Sequence, residues 1–177
     1  MARPGRVVLA GAVTGLVLVA FGQNLQSTPE KAAAIVPKSI EISSIDIEAP
    51  LMNLGLKDGE VELPPYEKPE MAGWYTGSAV PGEKGASVIV GHVDTKTAPA
   101  VFYKLRNVRK GEIVKVERSD GKVVKYKVDD VEQVHKDDFP LRRVYVDDGL
   151  KLVTCGGKFD RAAGEYLDNI IVYASRA

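Results

Sequence analysis

The chain contains a single cysteine, Cys155, which lies at the end of a largely apolar stretch and precedes two glycines. The run at residues 150–153 is typical of a short buried strand that ends in a flexible glycine turn. A second apolar run, residues 86–90, stops in the same way one residue before His92. A cysteine nucleophile needs a base or cation that lowers its thiol pKa from about 8.5, and a donor that stabilises an oxyanion. Cys155 and His92 are therefore the candidate nucleophile and proton carrier.

The same residues allow a second interpretation. A lone cysteine is more often a small buried hydrophobe than a nucleophile. Residue spacing also does not show that the two strand ends meet. The other histidine, His135, lies in a polar stretch and is interpreted as a solvated loop residue. A reactive pair and an inert buried thiol both stay open at this point.

Composition excludes several classes of protein. Lys plus Arg and Asp plus Glu both number 24, so the net charge is zero and we expect no nucleic-acid partner. One cysteine forms no internal disulfide, and one cysteine with two histidines is a poor zinc ligand set. We expect no cofactor and no metal. The 177 residues, 45% of them hydrophobic, are enough for one domain with appendages.

The N-terminal segment resembles an export signal. Arg3 and Arg6 precede the uncharged residues 7–21, which are short of the roughly 20 residues that span a bilayer. We predict a signal anchor or signal peptide at residues 1–22 and favour an uncleaved anchor. A linker follows at residues 23–38, where prolines interrupt a polar and alanine-rich stretch. The N-terminal arginines place the domain, residues 39–177, outside the cytoplasm.

The remaining segments predict an all-β domain. Asp120-Gly121 between two alternating stretches is the strongest hairpin signal. Residues 39–47 alternate with one slip, which indicates a strand pair or a bulged strand. With seven or eight short strands and no long amphipathic helix, the pattern favours a barrel or a sandwich. The other strand segments are residues 86–90, 112–117, 122–131, 150–155 and 169–174.

Two motifs in this order resemble the paired signature of the sortases, which are membrane-anchored cysteine transpeptidases of Gram-positive bacteria. The motifs are VIVGHVDT at residues 88–95 and LVTCGG at residues 152–157. The glycine pair after the cysteine and the sequence YLDNIIVYA at residues 166–174 resemble the actinobacterial classes E and F, with class F the closer. The resemblance covers residues 39–174.

The resemblance implies a closed eight-stranded barrel with Cys155 at the end of a strand in the floor of a cleft. It implies that Cys155 attacks the Thr-Gly bond of an LPxTG-like sorting signal on a surface protein and forms a thioester. An amine of a peptidoglycan precursor or a pilin would then resolve the thioester, with His92 carrying the proton. The implied location is a single-pass protein of the cell membrane with an extracellular catalytic domain.

The resemblance also implies an arginine that contacts the substrate or the oxyanion, but this chain departs from the family pattern. The family position lies at the start of the last strand, where this chain has residues 167–169 (LDN). Arg161, six positions after the cysteine, is the favoured candidate, and Arg142 and Arg143 are the alternatives.

Two other functions compete with the transpeptidase. One is a cysteine peptidase or hydrolase of the cell wall, in which water replaces the amine. The other is a non-enzymatic exported β-domain with an inert Cys155.

Overall fold

The computed structural model describes residues 34–177, which form one compact unit. The predicted anchor at residues 1–22 and most of the predicted linker lie outside the described residues. Ten strands and one α-helix, α1 (Leu141–Tyr145), make up the described part, with single 3-10 turns between them. The strands are β1 (Pro37–Ile42), β2 (Ile47–Leu54), β3 (Leu56–Lys57), β4 (Glu60–Val61), β5 (Ala72–Tyr75), β6 (Ala86–Val90), β7 (Ile113–Arg118), β8 (Val123–His135), β9 (Gly149–Asp160) and β10 (Glu165–Arg176).

Eight of these strands close into a barrel, and the prediction of an all-β barrel is confirmed. The order around the barrel is β1-β2-β5-β6-β9-β10-β8-β7. Neighbours are antiparallel except for β2 with β5 and β6 with β9, which are parallel. Strands β3 and β4 form a separate two-stranded ribbon. Closure pairs both edges of the main sheet, so no edge of it stays open.

The barrel buries apolar side chains on two faces. The interior cluster takes residues from all eight barrel strands, including Ile89 of β6 and Leu152 of β9. A second cluster on the outer face contains Val90, Val153 and Val144, the last from α1. Because side chains alternate along a strand, Cys155 lies on the same outer face as Val153. The largely apolar sequence of β6, in which Ser87 is the one polar residue, is consistent with burial on both faces.

The local predictions differ from the structure mainly in length. The Asp120-Gly121 turn joins β7 to β8 as predicted, with Gly121 at φ 77°. Residues 39–47 form a strand pair, because Asp46 adopts a left-handed conformation that turns the chain between β1 and β2. Strands β9 and β10 continue beyond their apolar segments into a long polar hairpin. The polar outer half of that hairpin carries no apolar periodicity, so the sequence did not predict it.

The described chain begins shortly before the barrel. Strand β1 begins at Pro37, two residues ahead of the domain start that the sequence predicts. Within residues 34–177 no helix has the length and apolar character needed to cross a membrane.

Candidate active site

The parallel pairing of β6 and β9 brings the two predicted strand ends together. The register runs from Ala86 with Gly149 to Val90 with Val153. It continues past β6, because the Gly91 amide donates to the Val153 carbonyl at 3.1 Å. Two further positions along both strands are His92 and Cys155. Neighbouring strands lie about 4.8 Å apart, so the backbones of these two residues are adjacent.

A hydrogen bond from a buried hydroxyl fixes the segment that continues past β6. Thr154 Oγ1 donates to the Gly91 carbonyl at 2.7 Å, and Thr154 is 3% exposed. Gly91 has no room for a side chain, since a Cβ there would stand 2.7 Å from atoms of Val101 and Phe102. The Phe102 amide in turn donates to the His92 carbonyl at 3.0 Å. The backbone on both sides of His92 is therefore held in place.

The His92 ring is buried, and the segment between β4 and β5 covers it. Its Nε2 lies 2.6 Å from the Pro64 carbonyl oxygen, and the Tyr66 ring stacks on it at a centroid distance of 4.2 Å. Because a carbonyl only accepts, Nε2 carries the hydrogen of this bond, and Nδ1 is the nitrogen that can take a proton. The sequence did not predict either contact, because nothing in the spacing of this segment indicates what it packs against.

The Cys155 thiol is half-buried in a mixed electrostatic environment. Burial raises its pKa, the Lys136 ammonium lowers it, and the carboxylates of Asp94 and Glu165 raise it further. The thiol is therefore protonated at neutral pH, and attack on a carbonyl requires a base that removes its proton.

The Asp94 carboxylate forms a hydrogen bond to a tyrosine of strand β10. The Tyr166 hydroxyl of β10 donates to the Asp94 carboxylate, which raises the pKa of Tyr166 to about 12. Asp94 therefore accepts from Tyr166, whereas the His92 ring nitrogen Nε2 is bonded to the Pro64 carbonyl. The bond between Tyr166 and Asp94 joins the segment after β6 to the β9–β10 hairpin, which contains Cys155.

Comparison with known proteins places this arrangement in a family. The model of the sortase domain matches residues 40–177. The chain belongs to the sortase family. Sortases are cysteine transpeptidases, and Cys155 is the one cysteine that this sortase contains.

Solved sortases share the fold. Sortase A from Corynebacterium diphtheriae has 26% sequence identity and a TM-score of 0.60, and the match covers 80% of this chain and 60% of that one. Sortase C from Streptococcus pneumoniae has 25% identity and a TM-score of 0.60, with coverage of 80% and 68%. Sortase C-1 from Actinomyces oris has 25% identity and a TM-score of 0.60, with coverage of 79% and 71%. No curated protein sequence matches the chain significantly.

The expected arginine of this sortase does not lie beside the cysteine. Arg161 is in the turn that joins β9 to β10, next to the terminal pair Asp160 and Glu165. At about 3.3 Å per residue, this end of the hairpin is about 15 Å along the strand from Cys155. There Arg161 lines a cleft of about 400 Å3 between the hairpin strands. The role predicted for Arg161 gains no support from this geometry.

The two alternative arginines are engaged elsewhere. Arg143 donates to Asp130 at 2.6 Å and to Glu132 at 2.8 Å, and its guanidinium lies 3.6 Å from the centroid of the Tyr173 ring. Arg142 is largely exposed and pairs with Asp147.

The position directly opposite Cys155 on β10 is Asn169, which the sequence did not indicate. In the described part of the chain no three metal-ligating side chains converge.

Replacing Thr154 with valine should destabilise the barrel. The substitution keeps the shape of the side chain but leaves the buried Gly91 carbonyl without its donor, so we expect the free energy of unfolding to fall by about 1–2 kcal/mol. Urea denaturation measures this change. Ser87→Ala on β6 is the matched control, since the 2% exposed Ser87 hydroxyl has no partner among residues 34–177. Its removal should leave stability unchanged or slightly higher, and equal losses in both variants would contradict the role of Thr154.

Alkylation of Cys155 should report its raised thiol pKa. Only the thiolate reacts with iodoacetamide, so native labelling should be slower than labelling of the urea-unfolded chain at pH 7. The native rate should still be rising at pH 9, where the unfolded thiol, with a pKa of about 8.5, is levelling off. The single cysteine makes mass spectrometry of intact protein a sufficient measurement. A native rate that levels off below pH 8 would contradict this assignment.

Proposed function

We propose that this chain is a membrane-anchored sortase transpeptidase with Cys155 as nucleophile and His92 as proton carrier. The observation that carries the proposal is the β6–β9 register, whose continuation past Val90 and Val153 brings His92, just after β6, next to Cys155 in β9 within a sortase barrel. Cys155 is only partly buried and lies on the outer face of the barrel, which supports a role in contacting a peptide.

The reaction begins with the neutral thiol. His92 Nδ1 takes the thiol proton as the sulfur attacks the carbonyl carbon of the scissile peptide bond. The bond from His92 Nε2 to the Pro64 carbonyl supports the imidazolium that results, because the carbonyl accepts from that nitrogen. His92 then gives the proton to the leaving amine, and a thioester on Cys155 remains. An incoming amine then attacks the thioester carbonyl carbon and loses a proton to His92, the C–S bond breaks, and the departing Cys155 sulfur takes that proton to restore the thiol.

The proposed substrate is a surface protein with a C-terminal LPxTG-like sorting signal, and the proposed acceptor is an amine of a peptidoglycan precursor or a pilin. This proposal follows the sortase family, which acts on sorting-signal proteins and pilins. We assign the chain to the actinobacterial classes E and F, with class F the closer, on the glycine pair after Cys155 and on residues 166–174. The solved relatives reported above are sortases of classes A and C.

The proposed organisation has three parts. Residues 1–22 anchor the chain in the cell membrane or act as a signal peptide, residues 23–38 form a linker, and residues 39–177 form the extracellular catalytic domain. The basic residues Arg3 and Arg6 before the apolar run support this orientation.

Replacing Cys155 with alanine should abolish formation of an acyl-enzyme with an LPxTG-type peptide, measured by mass spectrometry of the full chain. His92→Ala should lower the rate of acylation by about 10²–10⁴-fold, because the thiol loses its base. His135→Ala is the matched control, since that imidazole is exposed at the end of β8 and contacts the following 3-10 turn. Retention of the thioester in the Cys155 variant would overturn the proposal.

The fate of the thioester separates the transpeptidase from the hydrolase. Hydroxylamine, a nucleophile that needs no specific recognition, should convert the peptide to its hydroxamate in preference to the free acid. Release of the free acid alone, at the same rate with and without the amine, would indicate a hydrolase. No thioester with any peptide and no labelling of the native thiol at any pH would favour the inert exported domain.

A further inference from the structure

The reaction proposed above develops a negative charge on the carbonyl oxygen, and this inference rests on that proposed function. Removing one preorganised donor from an oxyanion site typically costs about 10²–10³-fold in kcat. The family resemblance implies an arginine as this donor, yet Arg161, Arg142 and Arg143 all lie elsewhere. The candidates for this donor are therefore the other polar groups around Cys155.

The charged groups near Cys155 are poor donors for this purpose. The charges that act on the thiol pKa are those of Lys136, Asp94 and Glu165. Two of the three are carboxylates, which repel an oxyanion. The Lys136 ammonium donates to Glu165 at 2.6 Å, so its charge is already compensated.

Asn169 occupies the position across from the nucleophile. Its Cα is the register partner of the Cys155 Cα in the antiparallel pair of β9 and β10. Side chains directly opposite each other in such a pair have their Cβ atoms about 4.5–5.5 Å apart and point to the same face. Ile171, two residues along β10, packs in the outer cluster with Val153, which confirms that this face is the one that carries Cys155.

The Asn169 carboxamide is held in a defined orientation. Its Nδ2 donates to the Thr154 carbonyl at 3.3 Å, next to the nucleophile in sequence. Because that carbonyl only accepts, the NH2 group rather than the amide oxygen faces the cysteine strand. An NH2 group has two hydrogens, and within residues 34–177 Thr154 is the partner of one of them. The half-buried second N–H is free to donate to a substrate.

We infer that Asn169 supplies the oxyanion donor of this enzyme, in the place where the family resemblance predicts an arginine. As the Cys155 sulfur bonds to the carbonyl carbon, the π electron pair moves to the carbonyl oxygen. That oxygen then accepts a hydrogen bond from the free N–H of Asn169 Nδ2. When the tetrahedral intermediate collapses, the C=O bond re-forms and the C–N bond breaks. The leaving amine then departs with the proton from His92. The donor is neutral and loses no proton in either step.

The test compares two reactions of Cys155 in the full chain. Acylation by p-nitrophenyl acetate or by an LPxTG-type peptide passes through an oxyanion, whereas alkylation by iodoacetamide does not. Asn169→Ala should lower the acylation rate by about 10²–10³-fold with both acylating probes. Its alkylation rate should stay within about twofold of the parent, because a substitution by direct displacement makes no use of the donor.

Two further variants and one control sharpen the comparison. Asn169→Asp keeps the shape but replaces the donor by an acceptor, so it should acylate at least as slowly as the alanine variant. Asn169→Ser keeps a short donor and should recover part of the rate. Asn53→Ala removes an exposed asparagine from β2, which is separated from β9 by two strands in the barrel, and should acylate like the parent. Thermal unfolding of each variant identifies any that do not fold. The comparison with the parent then uses only the Asn169 variants that do fold.

Three results would overturn the inference. The first is acylation by the Asn169 variants at the parent rate while Arg161→Ala or Lys136→Ala falls by 100-fold. The second is an equal loss of acylation and alkylation in the Asn169 variants, which indicates a structural role. The third is a parent that no probe acylates, which removes the nucleophile as well. Acylation of the parent by the ester but not by the peptide would instead refute the proposed substrate and leave the test of Asn169 intact.

Discussion

The candidate site depends on the parallel pairing of β6 and β9. This pairing sets the register that ends in His92 and Cys155, and the hydrogen bond from Thr154 Oγ1 to the Gly91 carbonyl carries it past the last regular pair. Two packing conditions permit it. The glycine at position 91 leaves room for the ring of Phe102, and the outer face of both strands is covered by apolar side chains around α1. Cys155 is thus positioned by strand β9, and His92 by a short segment after β6 that hydrogen bonds to Thr154 and Phe102 hold in place, which limits the freedom of both residues.

Burial determines the electrostatic character of the site. The pKa of the Cys155 thiol is raised, and carboxylates outnumber cations among the charges that act on it. These surroundings favour the neutral thiol over a resting thiolate. In the proposed reaction the thiol therefore needs a base, and the proposed base is His92, whose Nε2 is bonded to a backbone carbonyl. A neutral amide donor at Asn169 fits the same scheme, because it stabilises the charge of an intermediate without adding a fixed charge to the ground state.

The sequence predicted the barrel for identifiable physical reasons. Apolar alternation and turn residues indicated the strands, and the largely apolar segments of β6 and β9 indicated the two strands that are buried on both faces. The same two segments brought His92 and Cys155 to attention, and the catalytic roles of these residues stay a prediction. Three features had no such signal. The cover of Pro64 and Tyr66 over His92 depends on tertiary packing of a segment without periodicity. The polar hairpin beyond Gly157 and the pairing of Asn169 with Cys155 depend on strand register, which polar residues do not specify. Residue type and proximity in sequence favour Arg161, but the extended β9–β10 hairpin places it far along the strand from Cys155.

The hydrogen bond between Thr154 and Gly91 joins residues that are 63 positions apart in the chain. Closing a loop of that length carries an entropic cost that is met only when the strands on either side are in place. Contacts of such high sequence separation are typical of slowly folding β-topologies. The proposed pairing of Cys155 with His92 is consequently a property of the completed barrel and not of any local piece of the chain. A nascent or partly unfolded chain that exposes Cys155 has no histidine held beside the thiol, so the proposed reaction requires the completed fold.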